Sequence, residues 1–281
     1  MIFRVILILL IIQFSLPVHA QEHYLSNASL MVHLNRDAAY VNQRSRIAAK
    51  YKHVSPGQWG EFVKGVNTGF VPHGKEIALT FDACGGPKGK GYDAELVDYL
   101  RKEHVPATLF VSGRWIDANE QTLRELARDT LFEIENHGLY HRPCSLDGDS
   151  AYHIRGTRNA SEAFDELEAN ALKIEKITGR KPSLYRSSTA FINEGAVKLS
   201  GDLGIQVVSY RVLSGDAVPY AKTELISDYV IRHASPGAVV IMHFNHPEWN
   251  TCEALHAIIP ALKARGYRFV RLGSQELVSR K

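Results

Sequence analysis

The sequence predicts an α/β fold in which seven or so strand–helix units close, or nearly close, a barrel of parallel strands. Two observations predict it. Short apolar runs recur at 76–83, 107–112, 131–136, 183–187, 205–212, 238–244 and 267–271, and amphipathic segments lie between them. The clearest of them, 76–83, 107–112 and 238–244, are nearly continuous rather than alternating, the signature of parallel strands buried on both faces. An open doubly wound sheet is the other architecture that such a pattern allows.

Residues 1–20 stand apart from that pattern. Arg4 is a positive start, Val5 to Phe14 is nearly unbroken apolar chain, and Val18-His19-Ala20 is a small-x-small end. This is the anatomy of a cleavable secretory signal, with an uncleaved anchor as its alternative, so the chain is expected to be exported, periplasmic or secreted. No later stretch reaches the roughly 20 apolar residues that a spanning helix needs, so no stable membrane span is expected after cleavage. Residues 21–74 mix polar and apolar positions without a clean period, and Ser55-Pro56-Gly57 marks a turn. They read as an N-terminal extension to a barrel domain over 75–281.

Inside that domain the clearest helix is 161–177. Phe164, Leu167, Ala171, Ile174 and Ile177 form one stripe, with Gly179 placed for a left-handed cap. A second is 251–265, where Leu255, Ile258, Ile259 and Leu262 repeat before Gly266.

Composition excludes several classes. Of 281 residues, 45% are hydrophobic and 22% charged, which is globular rather than disordered or fibrous. A net charge of +3 with scattered Lys and Arg offers no basic face for nucleic acid. The cysteines are Cys84, Cys144 and Cys252, too few for a disulfide scaffold and without a Cys-x-x-Cys zinc pair. Cys84 and Cys144 each follow a strand end, so a disulfide and two inert thiols are both open.

A parallel α/β fold places its chemistry at the carboxyl ends of the strands. The sequence meets that requirement. The first run ends in Asp82, the third in His137-Gly138-Leu139-Tyr140-His141, the fourth in Arg186; the fifth runs on to Asp216, and the sixth ends in His243. Singly, such an Asp is as readily a turn residue, and such a His a structural one. Together they form a set in a definite order.

Thr80-Phe81-Asp82, His137-x-x-x-His141, Arg186, Asp216 and Met242-His243 together resemble the motifs of the polysaccharide deacetylase family, carbohydrate esterase family 4 with its NodB-type homology domain. Phe81-Asp82-Ala83-Cys84-Gly85-Gly86 and Met242-His243-Phe244-Asn245-His246-Pro247 resemble a particular bacterial branch of it. The resemblance covers about residues 75–275 and implies a distorted (β/α)7-type barrel that removes acetyl groups from a sugar polymer with a divalent metal, zinc favoured. Residue by residue it implies Asp82 as catalytic base, His137 and His141 as metal ligands, Arg186 as holder of the base, His243 as catalytic acid, and Asp216 as the carboxylate that tunes the acid. These roles suit the residue types. A carboxylate takes a water proton, and an imidazole, whose charge changes near neutrality, protonates a poor amine leaving group.

Three departures matter. The family's second Asp, a metal ligand, is Ala83 here. The third ligand is therefore Asp93, brought back by the loop Gly85 to Gly91, or Asp82 itself, or Cys84; Asp93 also reads as a helix-start acid. Ser187-Ser188-Thr189 and Ala217 replace residues of the family's sugar-binding rim, and His246 and Trp249 are either substrate contacts or loop packing. The reading is an N-deacetylase of an N-acetylglucosamine polymer of the cell envelope, peptidoglycan before chitin. An O-acetyl xylan esterase and a catalytically silent glycan-binding barrel are its alternatives.

Overall fold

The computed structural model describes residues 26–279, so the signal expected over 1–20 lies outside the described residues. One ten-stranded sheet organises the chain. Its strands are β1 Asn67–Phe70, β2 Glu76–Ala83, β3 Ala107–Val111, β4 Phe132–Asn136, β5 Leu184–Tyr185, β6 Gln206–Val207, β7 Val212–Leu213, β8 Ala238–His243, β9 Arg268–Phe269 and β10 Leu277–Ser279. The path β6-β5-β4-β3-β2-β8 is parallel throughout, with β7 parallel to β8 and β9 to β2. The run expected at 205–212 is split. Its first half pairs with β5 and its second with β8, so the sheet curls round toward closure, and a parallel bridge between Asn67 and Val208 lies across the gap.

Helices cover the outside: α1 Asn27–Leu34, α2 Ala38–Tyr51, α3 Ala94–Lys102, α4 Gly113–Arg128, α5 Ala160–Phe164, α6 Asn170–Thr178, α7 Glu194–Asp202, α8 Thr223–His233 and α9 Thr251–Ala264. Strand alternation assigns the two faces. Ile77, Leu79, Phe81 and Ala83 of β2 point into the layer packed under the helices, with Leu96, Trp115, Phe244 and Leu255. Ala78 turns inward to a second apolar cluster with Phe110 and Val239, and Thr80 donates to Val240 O at 2.6 Å across the ladder. The even positions of β2 therefore face the barrel interior.

The helix expected over 161–177 is interrupted by one π-helical turn, Asp165–Ala169, between α5 and α6; Gly179 closes it at φ +76 as anticipated. The extension contributes α1 and α2, whose Leu30, Leu34, Tyr40, Ile47 and Tyr51 pack in one cluster with Phe164 and Leu199. It also contributes β1, antiparallel to β8. Asn27 Nδ2 donates to Leu139 O at 2.9 Å, so the first described helix reaches the His137–His141 loop.

Candidate active site

β2 and β8 run side by side, and their register pairs Asp82 with His243. In a parallel ladder, paired residues share a face about 5 Å apart. The two residues expected to be base and acid are thus neighbours at the carboxyl end of the sheet.

Asp82 is buried, and Arg186 Nη1 donates to its Oδ1 at 2.7 Å. Arg186 has no exposed surface; it also donates to Ser209 O at 3.0 Å and lies 4.2 Å over the Phe110 ring. One carboxylate oxygen is thereby fixed, while Oδ2 faces His137 Nε2 at 3.7 Å. His243 is held from the other side. Its N–H donates to Asp216 Oδ2 at 2.7 Å, and its Nδ1 lies 3.1 Å from Asp216 Oδ1. Asp216 also accepts from Ser214 Oγ at 2.9 Å and Thr251 Oγ1 at 3.1 Å, which fixes both its oxygens. Burial pulls the His243 imidazole toward neutrality, but the Asp216 charge and hydrogen bond outweigh it, leaving its pKa well above the ordinary value.

His137 and His141 close the third side, their rings 4.9 Å apart. The loop that carries them rests on a buried polar network that no sequence motif announces. Asn136 Oδ1 accepts from Gly138 N at 2.8 Å and from Asn170 Nδ2 at 2.7 Å. Glu166, in the π-helical turn, accepts from the backbone N–H groups of Tyr140 and Arg142 at 3.1 and 2.9 Å. Burial pushes Glu166 up to about 7 against those donors. The turn is what aims this carboxylate at the loop, and the apolar stripe that marks the helix hides it. The departure Ser187-Ser188-Thr189 acquires a role here, because Ser188 Oγ lies 3.1 Å from His141 Nδ1.

The third-ligand candidates separate cleanly. The glycine loop does bring Asp93 back to the top of the sheet, where its N–H donates to Phe244 O at 2.9 Å. Its carboxylate, however, is the N-cap of α3 and accepts from Leu96 N at 2.9 Å. Asp93 is the helix-start acid and no part of the cluster, so Asp93→Ala is expected to cost about 1 kcal/mol of stability and to leave metal content unchanged, as denaturant melts and metal titration would check. Ala83 packs outward among the helices. Cys84, the next inward position of β2, brings its Sγ to 3.8 Å from His137 Nε2. Ser112 Oγ donates to Cys84 O at 2.6 Å, and at Gly85 (φ +71) a Cβ would lie 2.5 Å from Trp115 N, so the turn after Cys84 requires glycine.

Among the described residues, the set whose ligand atoms all lie within 4.8 Å of one another is Cys84, His137 and His141. All three cysteines are free, so the Cys84–Cys144 disulfide does not form; Cys84 is partly exposed and Cys144 buried. At the rim, His246 stacks on Trp249 at 3.8 Å, and Trp249 sits edge-on to His243 at 5.5 Å. Ala217 is exposed beside Asp216.

The profile of the family described as polysaccharide deacetylase matches residues 71–208. Over 198 residues the chain is 30% identical to the peptidoglycan-N-acetylmuramic acid deacetylase PdaA of Bacillus subtilis (strain 168), covering 69% of each chain. Among solved structures it is similar to a family 4 acetyl xylan esterase from Clostridium thermocellum in complex with a cobalt ion, with TM-score 0.59 and 27% identity over 71% of this chain and 89% of that one. It is also similar to BA3943 from Bacillus anthracis, described as a CE4 family pseudoenzyme, with TM-score 0.61 and 25% identity over 73% of this chain and 66% of that one.

Proposed function

This chain belongs to the polysaccharide deacetylase family, and from that premise we propose that it is a metal-dependent hydrolase that removes N-acetyl groups from the amino sugars of peptidoglycan. The observation that carries the reading is the ladder pairing of Asp82 with His243, each gripped by its own buried partner, with Asp82 Oδ2 3.7 Å from His137 Nε2. A binding surface alone has no use for a buried carboxylate and an imidazole, each fixed by its own partner, at adjacent strand ends.

The site also suits a cation. His137 Nδ1 lies 2.8 Å from Arg186 O; a carbonyl only accepts, so Nδ1 carries the proton and Nε2 presents its lone pair inward. His141 Nε2 is buried without a hydrogen-bond partner, an atom that a cation would satisfy. His137 and His141 would hold the metal, and imidazole donors suit zinc. What a divalent cation supplies there is polarisation of the acetyl carbonyl and acidification of a water from near 16 to about 7.

The chain's own residues do the rest. Arg186 keeps Asp82 oriented, so Oδ2 is free to take the water proton. His243 uses Nδ1 to hold Asp216, leaving Nε2 to deliver a proton to the departing sugar amine. Trp249 and His246 form a ledge beside that nitrogen against which a sugar ring packs. Export is supported by the leader-like residues 1–20, and no described helix is long and apolar enough to cross a membrane.

Acetate release from peptidoglycan, chitin oligomers and acetylated xylan, with and without chelator, tests the proposal. The expected result is chelator-sensitive release greatest on peptidoglycan, with metal content lost in the His137→Ala/His141→Ala double variant. Greatest release from acetylated xylan would assign the esterase reading. No release from any of the three by metal-loaded protein would leave the silent glycan-binding barrel, which Ala83 and the likeness to a pseudoenzyme favour.

A further inference from the structure

We propose that Cys84 is the third metal ligand of this chain, making the site a Cys-His-His set that prefers thiophilic cations such as zinc to hard ones such as magnesium. The inference rests on the metal-dependent reading above and names the ligand that reading leaves open.

Strand parity makes the first argument. In β2 the interior face is occupied by Ala78, Thr80 and Asp82, and the alternation continues one residue past the strand to Cys84. Ala83 faces the helix layer among apolar side chains, so a missing carboxylate at 83 is not an empty place in the interior. The inward position that follows the base carries a thiol.

Distances make the second. Zinc–sulfur and zinc–nitrogen bonds of about 2.3 and 2.0–2.1 Å in a tetrahedron put neighbouring ligand atoms about 3.3–3.6 Å apart. Cys84 Sγ already stands 3.8 Å from His137 Nε2, and all three ligand atoms lie within 4.8 Å of one another. A contraction of a few tenths of an ångström between Cys84 and His137, and of at most about 1.5 Å elsewhere, completes the triangle. Asp82 is placed less well to serve, because Arg186 holds its Oδ1 at 2.7 Å. Using its other oxygen as a ligand would remove the free acceptor that proton transfer needs.

Donor chemistry makes the third. Both imidazoles have their Nδ1 atoms engaged, His137 with Arg186 O and His141 with Ser188 Oγ, so both Nε2 atoms are the ones left for a ligand. Two imidazole nitrogens and a thiolate form a borderline-to-soft set, which favours zinc, cobalt or copper over magnesium or manganese. Three protein ligands would leave the fourth position for water, as in catalytic zinc sites, and Asp82 Oδ2 lies 3.7 Å from His137 Nε2 to meet it.

The test reads the metal rather than turnover. Purified protein loaded with cobalt(II) should show an intense near-ultraviolet thiolate-to-cobalt charge-transfer band, absent from Cys84→Ser and Cys84→Asp. Competition with a chromogenic chelator should show zinc affinity falling more than about 100-fold in Cys84→Ala, since even residues that only orient a ligand cost 10–100-fold. Bound zinc should also shield Cys84 from alkylation by iodoacetamide. A cobalt spectrum of the unmodified protein without that band overturns the inference and needs no variant. Zinc affinity unchanged in Cys84→Ala overturns it too, yet leaves the metal-dependent reading standing, with Asp82 or water in the third position. Failure of the unmodified protein to bind any metal overturns both. Alkylation of Cys84 regardless of zinc, together with an acetylated thiol trapped during turnover, would assign the sulfur as a nucleophile instead.

Discussion

Asp82→Asn is expected to lower acetate release from every acetylated substrate by at least about 10²–10⁴-fold, the usual worth of a positioned general base. The carboxylate is the buried acceptor left to take the water proton, because Arg186 holds its other oxygen at 2.7 Å. An amide at this position keeps the volume and one acceptor but cannot accept that proton. The same substitution strips the counter-charge from a guanidinium with no exposed surface. Breaking a buried pair on one side typically costs about 3–5 kcal/mol, so a lower melting temperature must accompany the loss. Two measurements separate the causes. Thermal melts give the stability loss, and zinc titration of the folded variant shows that the His137–His141 pair still binds. Turnover within tenfold of the unmodified enzyme in a folded, metal-loaded variant would show that some other group takes the proton.

How far the sequence discloses this site depends on where each residue lies relative to the strands. Asp82 and His243 are legible because a largely apolar run marks each strand and places them at its carboxyl end, whereas His137 and Arg186 follow the mixed Phe132–Asn136 and the short Leu184–Tyr185 and are legible from the order of the motifs. The curl of the sheet was legible as well, though not the division of labour between β6 and β7, since pairing partners leave no mark on an apolar run. Asp93 illustrates the limit of motif logic. An acid at the start of an amphipathic segment satisfies helix capping and metal binding equally in sequence, and only the position of Leu96 N decides. Cys84 was legible as one of three candidates, and extending the alternation of β2 by one residue puts it on the face of Asp82. Glu166 was not, because the π-helical turn that aims it at the His137–His141 loop interrupts a stripe that otherwise reads as regular helix. The two extension helices were missed for a simpler reason: α2 buries only Tyr40, Ile47 and Tyr51, a stripe too thin to register as a period.

His243→Ala should divide substrates by their leaving group. An amine must be protonated before it departs, whereas an activated phenol leaves as its anion. The loss is therefore expected to be about 10²–10⁴-fold on N-acetylglucosamine oligomers and much smaller on an aryl acetate. Asp216→Asn should imitate it weakly and expose the cause through pH. Burial alone would favour the neutral imidazole; the Asp216 charge, 3.1 Å from Nδ1, overcomes burial and holds the pKa well above the ordinary histidine value. A general acid works only while protonated, so the rate falls as pH rises through that raised pKa. Removing the counter-charge lowers the pKa, and the high-pH limb of the pH–rate profile must move to lower pH. Equal losses on the amide and the aryl ester in His243→Ala would instead make His243 a positioning residue. The proton for the departing amine would then have to come from water at the open rim beside Trp249.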